Sequence, residues 1–200
     1  MEVIYHGQTE NCRDNNLTPV RLSANQLLIV GRLKKFKGHL LLLSALKYIK
    51  NDFPGIKLII VGEGEEKNNL MRFVKDNALD EYVVFAGFSN DVRPYFKGSD
   101  VVVAPSLAEP FGLIVLEAYA CSKPVVAFNV TAFNENIIDN ETGCLITPYN
   151  IEELAKKIKY LLENKNIAEQ FGANGNALIK HKFSLNNSIE KTIKFYHSLN

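Results

Sequence analysis

Two carboxylates, Glu109 and Glu117, frame a Pro-Phe-Gly-Leu turn in the segment Pro105-Ser106-Leu107-Ala108-Glu109-Pro110-Phe111-Gly112-Leu113-Ile114-Val115-Leu116-Glu117-Ala118. A strand is expected to give way here to a loop bearing Glu109, with Pro110 and Gly112 standing where a helix would begin. The backbone amides of Gly112 and Leu113 are then unpaired donors at a positive helix end, ready for phosphate. Glu117, just over one turn into that helix, is placed to accept hydrogen bonds from both hydroxyls of a ribose, while Glu109 faces a transferred group. An ordinary exposed helix residue is the alternative reading of Glu117. Its neighbours Leu113, Ile114, Val115, Leu116 and Ala118 are apolar nearly all round, so the helix is expected to be buried, and a charge there calls for a partner. For Glu109, which stands in a loop, the ligand reading and the solvated one both stay open.

A second candidate is Gly31-Arg32-Leu33-Lys34-Lys35-Phe36-Lys37-Gly38, where one glycine ends a strand and another opens a helix. Arg32 offers a planar fork of donors, Lys37 a mobile point charge and the glycines a close backbone approach, which together suit a diphosphate. A solvated lysine cluster at a helix start is the competing reading. The spacing is not that of a Walker A loop. Val61-Gly62-Glu63-Gly64 has the opening of a dinucleotide fingerprint, but the third glycine of that pattern falls on Lys67, so a nicotinamide-binding domain is disfavoured.

The elements that must position these residues follow from apolar periodicity. Leu27 to Gly31, Lys57 to Gly62, Tyr82 to Gly87, Asp100 to Ala104, Pro124 to Phe128 and Gly143 to Ile146 read as six short strands alternating with helices. Runs this apolar, without polar alternation, suit strands covered on both faces. The fold class is therefore α/β, a doubly wound parallel six-stranded Rossmann-like sheet with extra C-terminal helices. Ligands of such sheets bind beyond the carboxyl ends of the strands, so the loops at Gly31, Gly62, Gly87 and Pro105 should converge on one crevice. Beyond residue 150 three helices are expected, Glu152 to Leu162, Ile167 to His181 and Asn186 to Leu199, packed back on the sheet.

Composition narrows the partners. The 200 residues are 46% apolar, enough for one core. Lys plus Arg (23) nearly balances Asp plus Glu (22), so nucleic acid is not an expected partner. Cys12, Cys121 and Cys144 lie far apart, without a CxxC pair or a histidine at ligand spacing, which indicates neither a disulfide framework nor a zinc site. A reducing cytosol, and hence a cytoplasmic protein, fits that usage. The first sixteen residues lack the basic and apolar regions of a signal peptide, and no apolar run reaches roughly 18 residues.

With these residues in view, the chain resembles the C-terminal, nucleotide-sugar-binding domain of family 4 retaining glycosyltransferases of the GT-B fold from Val3 onward. The resemblance is carried in order by VGRLKKFKG at 30 to 38, VGEG at 61 to 64, FAGF at 85 to 88, SDVVVAPSLAEPFGLIVLEA at 99 to 118, KPVVAF at 123 to 128 and ETGCLITP at 141 to 148. It implies that Arg32 and Lys37 neutralise the donor diphosphate and stabilise it as leaving group. Gly112 and Leu113 would give amides to the same phosphates, Gly31, Gly62 and Phe111 would belong to the donor-binding set, and the backbone near Phe88 and Ser89 would line the base pocket. Glu109 and Glu117 match the family's paired glutamates, the first addressed to the sugar ring and the second to the ribose. No metal is implied, because cationic side chains and a helix N-terminus take its place.

The implied activity is transfer of a hexose from a UDP- or GDP-sugar to a glycan or lipid-linked acceptor with retention of configuration. Acceptor binding belongs to a preceding domain, so residues 1–24 are expected to be an inter-domain linker and 25–200 the donor domain, inactive or weakly active alone as a truncated chain or the product of a split gene. Peripheral membrane association of the full enzyme is compatible with such acceptors. The alternative function is a non-catalytic nucleotide-sugar-binding regulatory module. Two departures from the family stand out: Ser122 occupies a position where Gly is usual, and Asn129-Val130-Thr131-Ala132-Phe133-Asn134-Glu135 replaces a glycine pair after the fifth strand.

Overall fold

A computed structural model describes residues 4–8, 12 and 16–198. Six parallel strands form one sheet: β1 (Gln26–Val30), β2 (Lys57–Val61), β3 (Val83–Gly87), β4 (Val101–Ala104), β5 (Val125–Phe128) and β6 (Gly143–Ile146), in the order β3-β2-β1-β4-β5-β6. All six expected strands are present, and the doubly wound class is the one observed.

The period of two along each strand sorts residues to two cores. Leu27 and Ile29 join one, with Leu42 and Leu46 of α1 (His39–Ile49), Leu70 of α2 (Lys67–Asp76) and Leu154 of α6 (Ile151–Glu163). Leu28 and Val102 join the other, with Phe96 of α3 (Arg93–Gly98), Val115 and Tyr119 of α4 (Leu113–Ala120) and Phe133 of α5 (Thr131–Asn136). Each such side chain, removed almost wholly from water, contributes roughly 1.5–3 kcal/mol of transfer free energy. Double coverage is why the strands carry no polar alternation.

Helix α4 is buried nearly all round, as its composition requires. Its outer side lies beneath α7 (Lys165–Lys182), where Gly175 is so close to the Tyr119 ring that a Cβ would overlap it. Asn176 Nδ2 donates to the Tyr119 carbonyl at 3.0 Å, and the Tyr119 hydroxyl donates to Thr142 at 2.7 Å.

Two expectations need correction, the packing of the last helix and the cysteine pairing. The segment that replaces the glycine pair after β5 contains α5, Thr131–Asn136, whose Ala132, Phe133 and Asn136 are buried. The C-terminal helices do not all return to the sheet. α6 and α7 do, but α8 (Leu185–His197) buries no residue, and its Ile189, Ile193, Phe195 and Tyr196 are all exposed. Cys12 and Cys121 form a disulfide across 109 residues, a proximity created by the fold and invisible in spacing, while Cys144 is free and buried. That pairing removes the ground on which cysteine usage pointed to a reducing compartment. The described part of the expected linker also packs on the domain: Gln8 donates to the Phe183 carbonyl at 2.8 Å and Ser188 to the Tyr5 carbonyl at 2.8 Å. Val3, where the resemblance begins, lies outside the described residues. Among the described residues no helix is long and apolar enough to cross a membrane.

Ser122 gives a physical reason for the departure at its position. It follows α4 at φ +53°, a left-handed conformation that costs a side-chain-bearing residue about 1–2 kcal/mol. We predict that Ser122→Gly raises the unfolding free energy by about 0.5–1 kcal/mol after the added chain entropy of glycine. The measurement is a urea midpoint at unchanged slope, and a lowered midpoint contradicts the strain.

Candidate active site

At the centre of the sheet β1 and β4 are neighbours whose crossovers leave in opposite directions, so the loops that follow them diverge around a crevice. The β1 loop turns through Lys35–Lys37 into Gly38, which adopts φ +75° and starts α1. A Cβ on Gly38 would overlap the Pro105 carbonyl, and Leu107 N–H donates to the Phe36 carbonyl at 2.7 Å. The two loops are thus fastened to each other by backbone contact. Across the seam Lys37 Nζ donates to Glu109 Oε2 at 2.5 Å, with side chains only 20% and 10% exposed. Removing one partner of such a pair strands a largely desolvated charge.

The far end of the β4 loop is held from behind. Asn136 of α5, fully buried, donates through Nδ2 to the Phe111 carbonyl. Gly112 takes φ +83° against the Phe133 ring, where a Cβ would overlap. This caps α4 without a side chain and leaves the amides of Gly112 and Leu113 with no partner inside the helix. One turn on, Glu117 is half-buried, makes no side-chain hydrogen bond or ion pair among the described residues, and has its carboxyl held above the usual carboxylate range by desolvation.

These groups line one cleft of about 280 Å³, bounded by Gly31, Lys37, Glu109, Phe111, Gly112, Leu113 and Glu117. Phe111 has a second set of neighbours: its ring lies 6.4 Å from that of Tyr5 and 6.1 Å from that of Phe183. The remaining expected residues lie elsewhere. Arg32 is exposed and makes no ion pair, and it adjoins the cleft only through Gly31. Gly62 packs behind Gly31, whose carbonyl a Cβ would overlap. Phe88 is 72% exposed beyond β3, and Ser89 donates to the Asp91 carbonyl at 2.7 Å in a local turn. β3 is an edge strand two places from β1.

One cleft residue was missed by the sequence reading. His39, the first residue of α1, is 3% exposed and lines the cleft, and neither ring nitrogen has a hydrogen-bond partner. Burial, and secondarily Lys37, pushes its pKa down to about 4. A polar residue directly after a loop glycine and before four leucines was the available signal.

A parallel α/β sheet with a cleft at its switch point, walled by a helix N-terminus, a lysine and two glutamates, defines a Rossmann-like domain. The chain belongs to the family described as glycosyl transferases group 1, whose model matches residues 16–178. It is 31% identical over 182 residues to an uncharacterized glycosyltransferase of Haemophilus influenzae, covering 88% of this chain and 51% of that protein. It is equally 31% identical, over 172 residues, to the Campylobacter jejuni N-acetylgalactosamine-N,N'-diacetylbacillosaminyl-diphospho-undecaprenol 4-alpha-N-acetylgalactosaminyltransferase, covering 85% of this chain and 46% of that enzyme. The crystal structure of Anabaena HepE in complex with UDP superposes with a TM-score of 0.87 at 26% identity, covering 98% of this chain and 57% of that one; the same protein is also known with UDP-glucose. The chain spans about half the length of the curated relatives it matches.

The buried imidazole makes stability pH-dependent. Unfolded, His39 takes a proton near pH 6.5; folded, only near 4, so the unfolded state binds more protons between those values. Its contribution is fully present above pH 6.5 and is lost as pH falls toward 4, by roughly 3 kcal/mol. Glu117 acts in the opposite sense, because its raised pKa favours the protonated folded state as pH falls. We predict that the stability of His39→Leu relative to wild type rises as pH drops through this window; a pH-independent difference contradicts a neutral buried imidazole.

Proposed function

We propose that this chain is the donor-binding half of a retaining hexosyltransferase that uses a UDP-sugar in preference to a GDP-sugar. The observation that carries the reading is the unpaired carboxylate of Glu117 one turn beyond the free Gly112 and Leu113 amides, in the cleft shared with Lys37 and Glu109. The amides and Lys37 receive the diphosphate, and Glu117 accepts from the ribose hydroxyls. Arg32 swings in from the rim to add charge to the phosphates. UDP and UDP-glucose in the Anabaena relative support uridine as the base, and the undecaprenol-linked substrate named for the Campylobacter enzyme supports a lipid-linked or glycan acceptor.

In this reading the bond from the sugar anomeric carbon to the diphosphate oxygen breaks, and a bond to the acceptor hydroxyl oxygen forms on the same face. The acceptor proton passes to the departing phosphate. Negative charge grows on that phosphate, so fixed donors aimed at it lower the barrier. They take the part of a divalent cation, and the reading calls on no metal. Glu109 orients the sugar ring; it is not assigned as nucleophile, because its carboxylate is engaged by Lys37. A preceding acceptor-binding domain is part of the proposal, supported by the half-length match to the relatives.

Calorimetry with UDP and GDP tests the assignment. Glu117→Ala is expected to weaken UDP binding by roughly tenfold or more, as befits loss of charged hydrogen bonds, and Arg32→Ala by several-fold. Unchanged affinity in both variants overturns it.

A further inference from the structure

His39 is the one cleft-lining side chain, among the described residues, that is almost wholly buried while both of its polar atoms lack partners. Leaving a buried donor or acceptor unmade is costly, and native structures seldom tolerate it without a reason. The ring lines the same cleft as Lys37, which precedes it on the β1 loop, and as Gly112 and Leu113 at the start of α4. A cation is disfavoured there by burial, by Lys37 and by the positive end of α1. The ring is therefore a neutral imidazole, which offers one donor and one acceptor at once.

Resting on the donor-site reading, we propose that His39 is a donor-contacting residue at the phosphate–sugar junction. One ring N–H donates to a diphosphate oxygen, and the other nitrogen accepts from a hydroxyl of the transferred sugar. The match is chemical. Ionised phosphate oxygens only accept, sugar hydroxyls can donate, and a neutral imidazole between them satisfies both with its two unpaired nitrogens. Lys37 cannot replace it, since an ammonium has donors only. The residue adds selectivity to the diphosphate contacts, because a donor lacking the hydroxyl leaves one nitrogen buried and unmade.

The test compares wild type, His39→Leu and His39→Gln by calorimetry with UDP and UDP-glucose, alongside thermal unfolding and the imidazole nitrogen resonances of His39 during a UDP titration. His39→Leu should unfold at or above the wild-type temperature, since it removes an unsatisfied buried group, yet bind UDP roughly tenfold more weakly and UDP-glucose more weakly still. His39→Gln, which keeps a donor and an acceptor, should recover part of the loss. The ring nitrogen that donates should shift on UDP addition, and both should shift with UDP-glucose. No UDP binding by the wild-type chain overturns the donor-site reading and this one with it. UDP binding that leaves the imidazole resonances unmoved and the Leu variant unimpaired overturns the role of His39 alone and marks its ring as water-capped. The resonances decide the matter even if the Leu variant fails to fold.

Discussion

The pairing of β1 with β4 is the constraint on which everything else in the structure depends. Parallel strands must be joined by crossovers, and the right-handed rule sends those on either side of this pair to opposite faces of the sheet. Two loops are thereby forced apart at the carboxyl ends of adjacent strands, and a crevice results without any residue being chosen to make it. What the sequence adds is control of the gap. Gly38, lying against the Pro105 carbonyl, brings the loops together at one edge, and Gly112, lying against Phe133, lets α4 begin at the other. Neither position has room for a side chain.

The cleft is electrically organised by its own side chains. Lys37 is held by Glu109, so its charge is fixed in position before any anion arrives. Glu117, by contrast, is unpartnered and partly desolvated, and is thus free to accept hydrogen bonds. Preorganised groups need not rearrange when a charged ligand enters, which is the condition under which electrostatic stabilisation is most effective. Engaging a diphosphate with Lys37 means sharing its three donors between Glu109 and phosphate, not breaking the pair outright.

The sheet is legible in the sequence because strands covered on both faces write themselves as unbroken apolar runs, and the start of α4 because glycine, proline and two glutamates punctuate an apolar helix. Other features are not local. The role of Asn136 depends on α5 folding beneath Phe111, a contact across 25 positions, and the Cys12–Cys121 bond spans 109. α8 has the apolar spacing of a packed helix, but periodicity gives a face without saying what covers it, so its exposure could not be foreseen. His39 was hidden for a related reason. Its significance is a missing hydrogen bond, and absence of a partner has no signature in a string of residues.

Phe111 belongs to two environments at once, lining the cleft and lying against Tyr5 and Phe183. A side chain shared in this way ties two equilibria together. Whatever free energy a ligand gains from finding Phe111 fixed by the N-terminal segment, that segment must gain from the bound ligand in the same amount. Any coupling between the cleft and that segment would run through this one ring, and would run equally in both directions.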